Sequence, residues 1–159
     1  MQNILFRTGL AAVAAATTLT IATPAAAQLT IYEDYTPSDE VVEMTLVKVD
    51  SGMMETYFEG LRGTWVEANE VAKGLGHIMD YGIWAVPYGD DEGFNLILTI
   101  RMANTGDTGP SKERYDAFMK AWGEANIEQS NKTVRDLYNK IRTIKGVYLL
   151  REVEIPVKK

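Results

Sequence analysis

His77 is the sole histidine of a chain that has no cysteine, and this narrows the chemistry open to its side chains. Without thiols there is no disulfide, no thiolate nucleophile and no Cys-ligated metal, and the core must hold without covalent staples. One imidazole does not make a zinc site of the usual His-rich kind. His77 is left as the candidate catalytic base or acid, because imidazole ordinarily titrates near neutral pH. The bland alternative is a histidine that bonds a terminal carbonyl where a helix hands over to a strand. Asp80 follows three residues on, and in an extended segment that spacing sends the two side chains to opposite faces, so a His77–Asp80 dyad is not expected.

Tyr81 shares the face of His77. Together with Tyr57, Trp65 and Trp122 it forms a candidate ligand pocket for a flat aromatic or terpenoid molecule, the alternative being plain core packing. Glu43, Asp80, Trp84 and Arg101 form a second group, read as one sheet face where an ion pair is solvated or spans a two-fold interface. Asp90, Asp91 and Glu92 are hard-cation ligands by type, yet an acidic hairpin tip is ordinarily a solvated turn. The loop Asn104-Thr105-Gly106-Asp107-Thr108-Gly109 lacks the lysine and the strand-to-helix spacing of a phosphate loop. No motif surrounds the one histidine in the manner of a Ser-His-Asp hydrolase. No metal site and no cofactor are expected.

The N-terminal 27 residues bound the compartment. Arg7 supplies the early positive charge, Thr8 to Thr23 is an Ala-rich apolar run, and Ala25-Ala26-Ala27 offers small residues for cleavage before Gln28. The run is shorter than the roughly 20 residues a membrane span requires and is broken by threonines, so a removable export signal is expected and a periplasmic or secreted mature protein with it. Only one arginine precedes the run, which argues against a twin-arginine leader. Removing 27 of 159 residues leaves 132, enough for one domain. Without Arg7, sixteen basic residues become fifteen against twenty-two acidic ones, a net of minus seven. Such a surface repels phosphate backbones and anionic headgroups, so neither nucleic acid nor membrane is an expected partner.

The elements that must position these residues follow from periodicity. Residues 28–40, with Pro37 among tyrosines and acids, read as an irregular arm. Val41 to Val49 alternates like a strand, with Val42, Met44 and Leu46 on one side and Glu43, Thr45 and Val47 on the other. Asp50 and Ser51 are capping types, and Met54, Tyr57, Phe58, Leu61, Trp65, Ala68, Ala72 and Leu75 recur at helical spacing. Gly60 and Gly63 interrupt that helix, as sites of close packing or of a bend, and Gly74 and Gly76 end it. His77 to Tyr88 is a second strand, Gly89 to Gly93 a hairpin turn, and Phe94 to Ala103 a third strand with clean alternation. Ser111 caps a second helix whose polar middle, Gly123 to Asn131, kinks or interrupts it. Gly146 ends it, Val147 to Ile155 is a last strand, and residues 156–159 form a charged tail.

This order predicts an α+β fold over 41–155, the ferredoxin-like βαββαβ sandwich, with a four-stranded antiparallel sheet and two helices on one face. The helix-facing side is expected to carry Val42, Met44, Leu46, Met79, Tyr81, Ile83, Phe94, Leu96, Leu98 and Ile100. The opposite face, half apolar and bearing Trp84, looks like a surface that meets a partner.

The strand Val42 to Val49, the helix opening Ser51-Gly52-Met53, the stretch Asp80-Tyr81-Gly82-Ile83-Trp84 and the ending Gly146-Val147-Tyr148-Leu149-Leu150-Arg151-Glu152 give the chain a layout that resembles the dimeric α+β barrel superfamily. That resemblance implies a homodimer with sheet set against sheet, and small molecules bound in a cleft between the sheet and helices of each protomer. Its members include cofactor-free oxygenases of polycyclic phenols, haem-degrading enzymes and proteins without assigned activity. In the haem-degrading branch the iron-ligating histidine stands on the second helix; Ser111 to Lys145 has none, and the chain departs from that pattern. The leading expectation is an exported homodimer that binds a small, mainly apolar ligand. The alternatives are a cofactor-independent oxygenase or isomerase with His77 as base and Tyr81, Tyr57 or Trp65 positioning substrate, and a non-catalytic module that docks an envelope protein.

Overall fold

The computed structural model describes residues 28–88 and 93–157. The expected leader at 1–27, the hairpin tip at 89–92 and the last two residues lie outside the described residues. Four strands form one antiparallel sheet: β1 (Thr36–Val49), β2 (Asp80–Ala85), β3 (Leu96–Met102) and β4 (Arg142–Glu154), in the order β2-β3-β1-β4. This is the ferredoxin-like topology. The first crossover holds α1 (Met54–Leu61), a π-helical turn at Arg62–Val66 and α2 (Glu67–Gly74). The second holds α3 (Lys112–Trp122), α4 (Glu124–Thr133), another π-helical turn at Val134–Tyr138 and the single turn α5 (Asn139–Ile141).

The core joins Val47 and Val49 of β1 and Leu96 and Leu98 of β3 to Tyr57, Leu61, Tyr138 and Ile141 of the helical layer. Register then fixes the faces. Val41, Glu43, Thr45 and Val47 stand opposite Met102, Ile100, Leu98 and Leu96, so the odd-numbered side of β1 faces the helices. The expected parity is inverted for this strand: Val42, Met44 and Leu46 lie on the open side, with Ile97, Thr99 and Arg101 of β3. For β2 the expected faces hold, since Tyr81 and Ile83 oppose Ile100 and Leu98 while Gly82 and Trp84 oppose Thr99 and Ile97.

Several boundaries move for identifiable reasons. β1 begins at Thr36, inside the expected arm, because Thr36 and Pro37 pair with Glu154 and Val153. Asp50 and Ser51 do not cap α1. Its N-cap is Met53, which has no side-chain cap bond, and Asp50 instead accepts the Met53 N–H through its carbonyl at 3.0 Å. Ser111 does cap α3, its hydroxyl accepting from Arg114 N. The helical layer breaks at Gly123 alone, whose φ of +87° favours glycine, and the polar segment after it is helical. β4 starts at Arg142 rather than Val147, with a bulge opposite Leu46 and Val47. Gly146 is therefore a strand residue.

Candidate functional site

The helical layer has a gap in it. A cavity of about 320 Å³ lies between the first and second helical segments, within the range of small-molecule sites. Leu61, Trp65 and Ala68 wall it from the first segment, and Phe118, Trp122 and Ile127 from the second. Its polar lining comes from Thr64, Ser130, Asn131, Tyr138 and Arg142, and no acidic side chain contributes. A larger hollow of about 660 Å³ adjoins it across Ile127 and Asn131, but that one is lined chiefly by charged and amide groups such as Glu124, Glu128 and Lys132. The smaller cavity is the better ligand site, since apolar walls with a few convergent polar groups supply both affinity and orientation.

Both π-helical turns border the cavity and meet there. Thr64 of the first and Tyr138 of the second are bonded through their hydroxyls at 2.7 Å. Thr64 Oγ1 also donates to Gly60 O at 2.9 Å, which commits its one proton, so Tyr138 is the donor in the shared bond. Gly60 permits this contact: a Cβ there would stand 2.7 Å from the Tyr138 ring. π-turns of this kind recur at functional sites. Arg142, the first residue of β4, closes the floor. Its guanidinium donates to the Tyr57 hydroxyl and lies 4.6 Å from the Tyr138 ring centroid and 5.4 Å from that of Tyr57. Burial pushes both tyrosine hydroxyls above their ordinary titration range, against the opposing pull of Arg142.

The expected pocket residues are partly separated. Trp65 and Trp122 line the cavity. Tyr57 is fully buried beneath it, edge-on to Tyr138 at 4.9 Å. Tyr81 stands behind Trp65, edge-on at 5.3 Å, and donates to Glu70 at 2.5 Å. That bond holds the Tyr81 hydroxyl protonated up to about 12. The gap thus opens between helices, not between sheet and helices.

His77 is not among the residues lining either hollow, and its backbone has a structural task. Gly76, at φ +70°, and His77 close α2 in a Schellman motif, with Gly76 N donating to Lys73 O and His77 N to Ala72 O. The His77 carbonyl then accepts from Arg114, which also holds Asp107 at 3.0 Å. Arg114 thus ties the start of α3 to the turn that leads into β2.

The second expected group also divides. Glu43 faces the helical side of the sheet, opposite Ile100 and Leu149. Asp80, Trp84 and Arg101 share the open side, with Asp80 and Arg101 directly opposed in register. Each charge is met elsewhere: Asp80 by Lys73 at 2.8 Å and Arg101 by Glu40 at 2.9 Å. The Lys73 bond is the main force holding the Asp80 carboxyl below its usual range, Arg101 adding a smaller pull. With Val42, Met44 and Leu46 placed there too, this face is more apolar than the sequence pattern indicated. Trp84 is 61% exposed on it, and Tyr148 and Leu150 of β4 extend it.

The cavity residues that sequence reasoning did not single out are Thr64, Ile127, Ser130, Asn131 and Arg142. A sequence signal existed for Arg142 alone: a cation four residues beyond Tyr138, in line with the apolar stripe. Among the described residues no three acidic or histidine side chains gather closely enough to hold a metal ion, and no helix is long and apolar enough to cross a membrane.

No protein-family model matches the chain, and no curated protein matches it either. Solved structures similar to it share little sequence. A protein from Shewanella oneidensis is 12% identical, with 77% of this chain and 100% of that one covered and a TM-score of 0.46. A NIPSNAP-family protein of unknown function from Agrobacterium tumefaciens is 15% identical, over 75% of this chain and 91% of its own, with a TM-score of 0.44. A protein from an uncultured marine organism, described as dimeric and ferredoxin-like, is 11% identical over 77% and 92%, with a TM-score of 0.41.

Proposed function

We propose that this chain is an exported, homodimeric binding protein for a small, mainly apolar molecule, held between the two helical segments of each protomer. The observation that carries the reading is the cavity of about 320 Å³ walled by Trp65, Phe118 and Trp122. An apolar recess of this size, open to solvent and walled by two tryptophans, is a surface that an apolar ligand removes from water. Export is supported by the leader pattern at 1–27. The homodimer is supported by the open sheet face, since a contiguous apolar sheet surface calls for a cover.

The neutral fluorophore N-phenyl-1-naphthylamine tests the binding. Its emission is expected to rise on mixing with the protein, and the rise is expected to vanish in Ala68→Trp, which fills the cavity from its wall. No rise with the native chain, or an equal rise with folded Ala68→Trp, would overturn the reading.

A further inference from the structure

We infer that the ligand of the inter-helix cavity carries an anionic oxygen group, a carboxylate or sulfonate on an aromatic or apolar body, and that Arg142 pairs with it. This rests on the cavity being the binding site and adds the charge of what it binds. Arg142 is half-buried at the cavity floor. Of its five N–H groups, one bonds a protein acceptor, the Tyr57 hydroxyl. Among the described residues no carboxylate lies within ion-pairing distance of it, whereas Arg101 and Arg114 each hold one. A half-buried guanidinium without a carboxylate partner, lining a cavity to which no acidic side chain contributes, suits an anionic oxygen group of a ligand.

A second group points the same way. Ser130 lines the same cavity, and its Oγ, shielded from solvent, has no hydrogen-bond partner among the described residues, so turning it toward a ligand breaks no bond. A hydroxyl and a guanidinium edge are both donors, and both suit an oxyanion. The guanidinium is also held in place, by its bond to the Tyr57 hydroxyl and its close approach to the Tyr138 and Tyr57 rings. The walls of Trp65, Phe118 and Trp122 then take the apolar body, with the acid directed toward β4.

The test compares two probes with one aromatic skeleton, neutral N-phenyl-1-naphthylamine and its sulfonated relative 8-anilino-1-naphthalenesulfonate, titrated by fluorescence. Arg142→Gln is expected to weaken the sulfonate roughly tenfold and to leave the neutral probe within about twofold, as loss of one charge-assisted pair predicts. Arg142→Lys is expected to restore part of the loss, and Ser130→Ala to weaken the sulfonate a few-fold. Ala68→Trp is expected to exclude both probes, which separates the cavity from the open sheet face. Should Arg142→Gln lose its fold by circular dichroism, Arg142→Lys, Ser130→Ala and the salt dependence of each probe carry the test, with sulfonate binding alone falling as salt rises. Sulfonate affinity that is indifferent to Arg142, or equal loss of both probes in a folded variant, overturns the inference while the binding reading stands. Failure of the native chain to bind either probe overturns the binding reading itself.

Discussion

Tyr81 shows how a residue chosen for one role from sequence acquires another in the fold. Its ring supports Trp65 from behind, and its hydroxyl is fixed by Glu70. The hydrogen bond to Glu70 is the largest cause of its raised titration, with burial second. A phenol whose folded titration lies above its unfolded value binds its proton more tightly in the native state. The bond therefore contributes fully below the ordinary tyrosine value of about 10, and the contribution disappears as pH rises from there through about 12. Absorbance titration of tyrosinate is expected to show one more group ionising near the ordinary value in Glu70→Gln than in the native chain. Identical titration curves would show that Glu70 does not hold the phenol. Alkaline unfolding is expected to begin at lower pH in the variant, in the same direction.

The helices illustrate what element-scale reading can and cannot extract. Gly60 and Gly63 are indistinguishable as interruptions in an amphipathic pattern, yet the structure separates them. A Cβ at Gly60 meets the Tyr138 ring at 2.7 Å, while one at Gly63 meets nothing within 4 Å. Replacing a helical glycine by alanine gains up to about 1 kcal/mol, and that gain is expected for Gly63→Ala. For Gly60→Ala the overpacking cost of about 1–3 kcal/mol exceeds it, because Tyr138 is buried and held by Thr64. Urea midpoints at unchanged slope are expected to move in opposite directions for the two variants; a shared direction would refute the packing assignment. The order of elements was legible because β3 alternates cleanly and the helices carry long apolar stripes. The face of β1 was not, because both of its parities are apolar: Val42, Met44 and Leu46 compete with Val41, Val47 and Val49, and a one-residue shift exchanges the whole set. Glu43 and Thr45 tipped the reading toward the wrong side. The start of β4 was hidden in the same way, since Ile141 and Ile144 continue a helical spacing and Gly146 resembles a helix end. In the fold Gly146 instead makes room for the Tyr148 ring, which a Cβ would meet at 2.7 Å. The cavity itself was half legible: the tryptophans marked it, but Ser130 and Arg142 gain meaning only when two helical segments and a strand end converge.

At the scale of the whole molecule, the corrected face of β1 strengthens the case for a symmetric pair. Val42, Met44 and Leu46 run down the centre of the open side, between Trp84 on β2 and Tyr148 and Leu150 on β4. The two rings lean over glycines on the edge strands, Trp84 over Gly82 and Tyr148 over Gly146. The flanking charges of Asp80 and Arg101 are already answered within the protomer, so closing this face leaves neither of them without a partner. A self-complementary patch of that kind suits a two-fold interface, in which each copy covers the other with the same residues. Sedimentation at micromolar concentration is expected to give twice the protomer mass. Met44→Arg, which puts a charge at the middle of the patch, is expected to give the protomer mass while circular dichroism stays native. Acrylamide should reach tryptophan more readily in that variant, because Trp84 is 61% exposed in the isolated protomer and a second copy seated on this face would cover it. The melting temperature of the native chain should rise with protein concentration and that of Met44→Arg should not, since association stabilises by mass action. A native chain that sediments as a stable protomer would remove the second copy as the cover of this face and leave the inter-helix cavity, which lies on the other side of the sheet, to be judged alone.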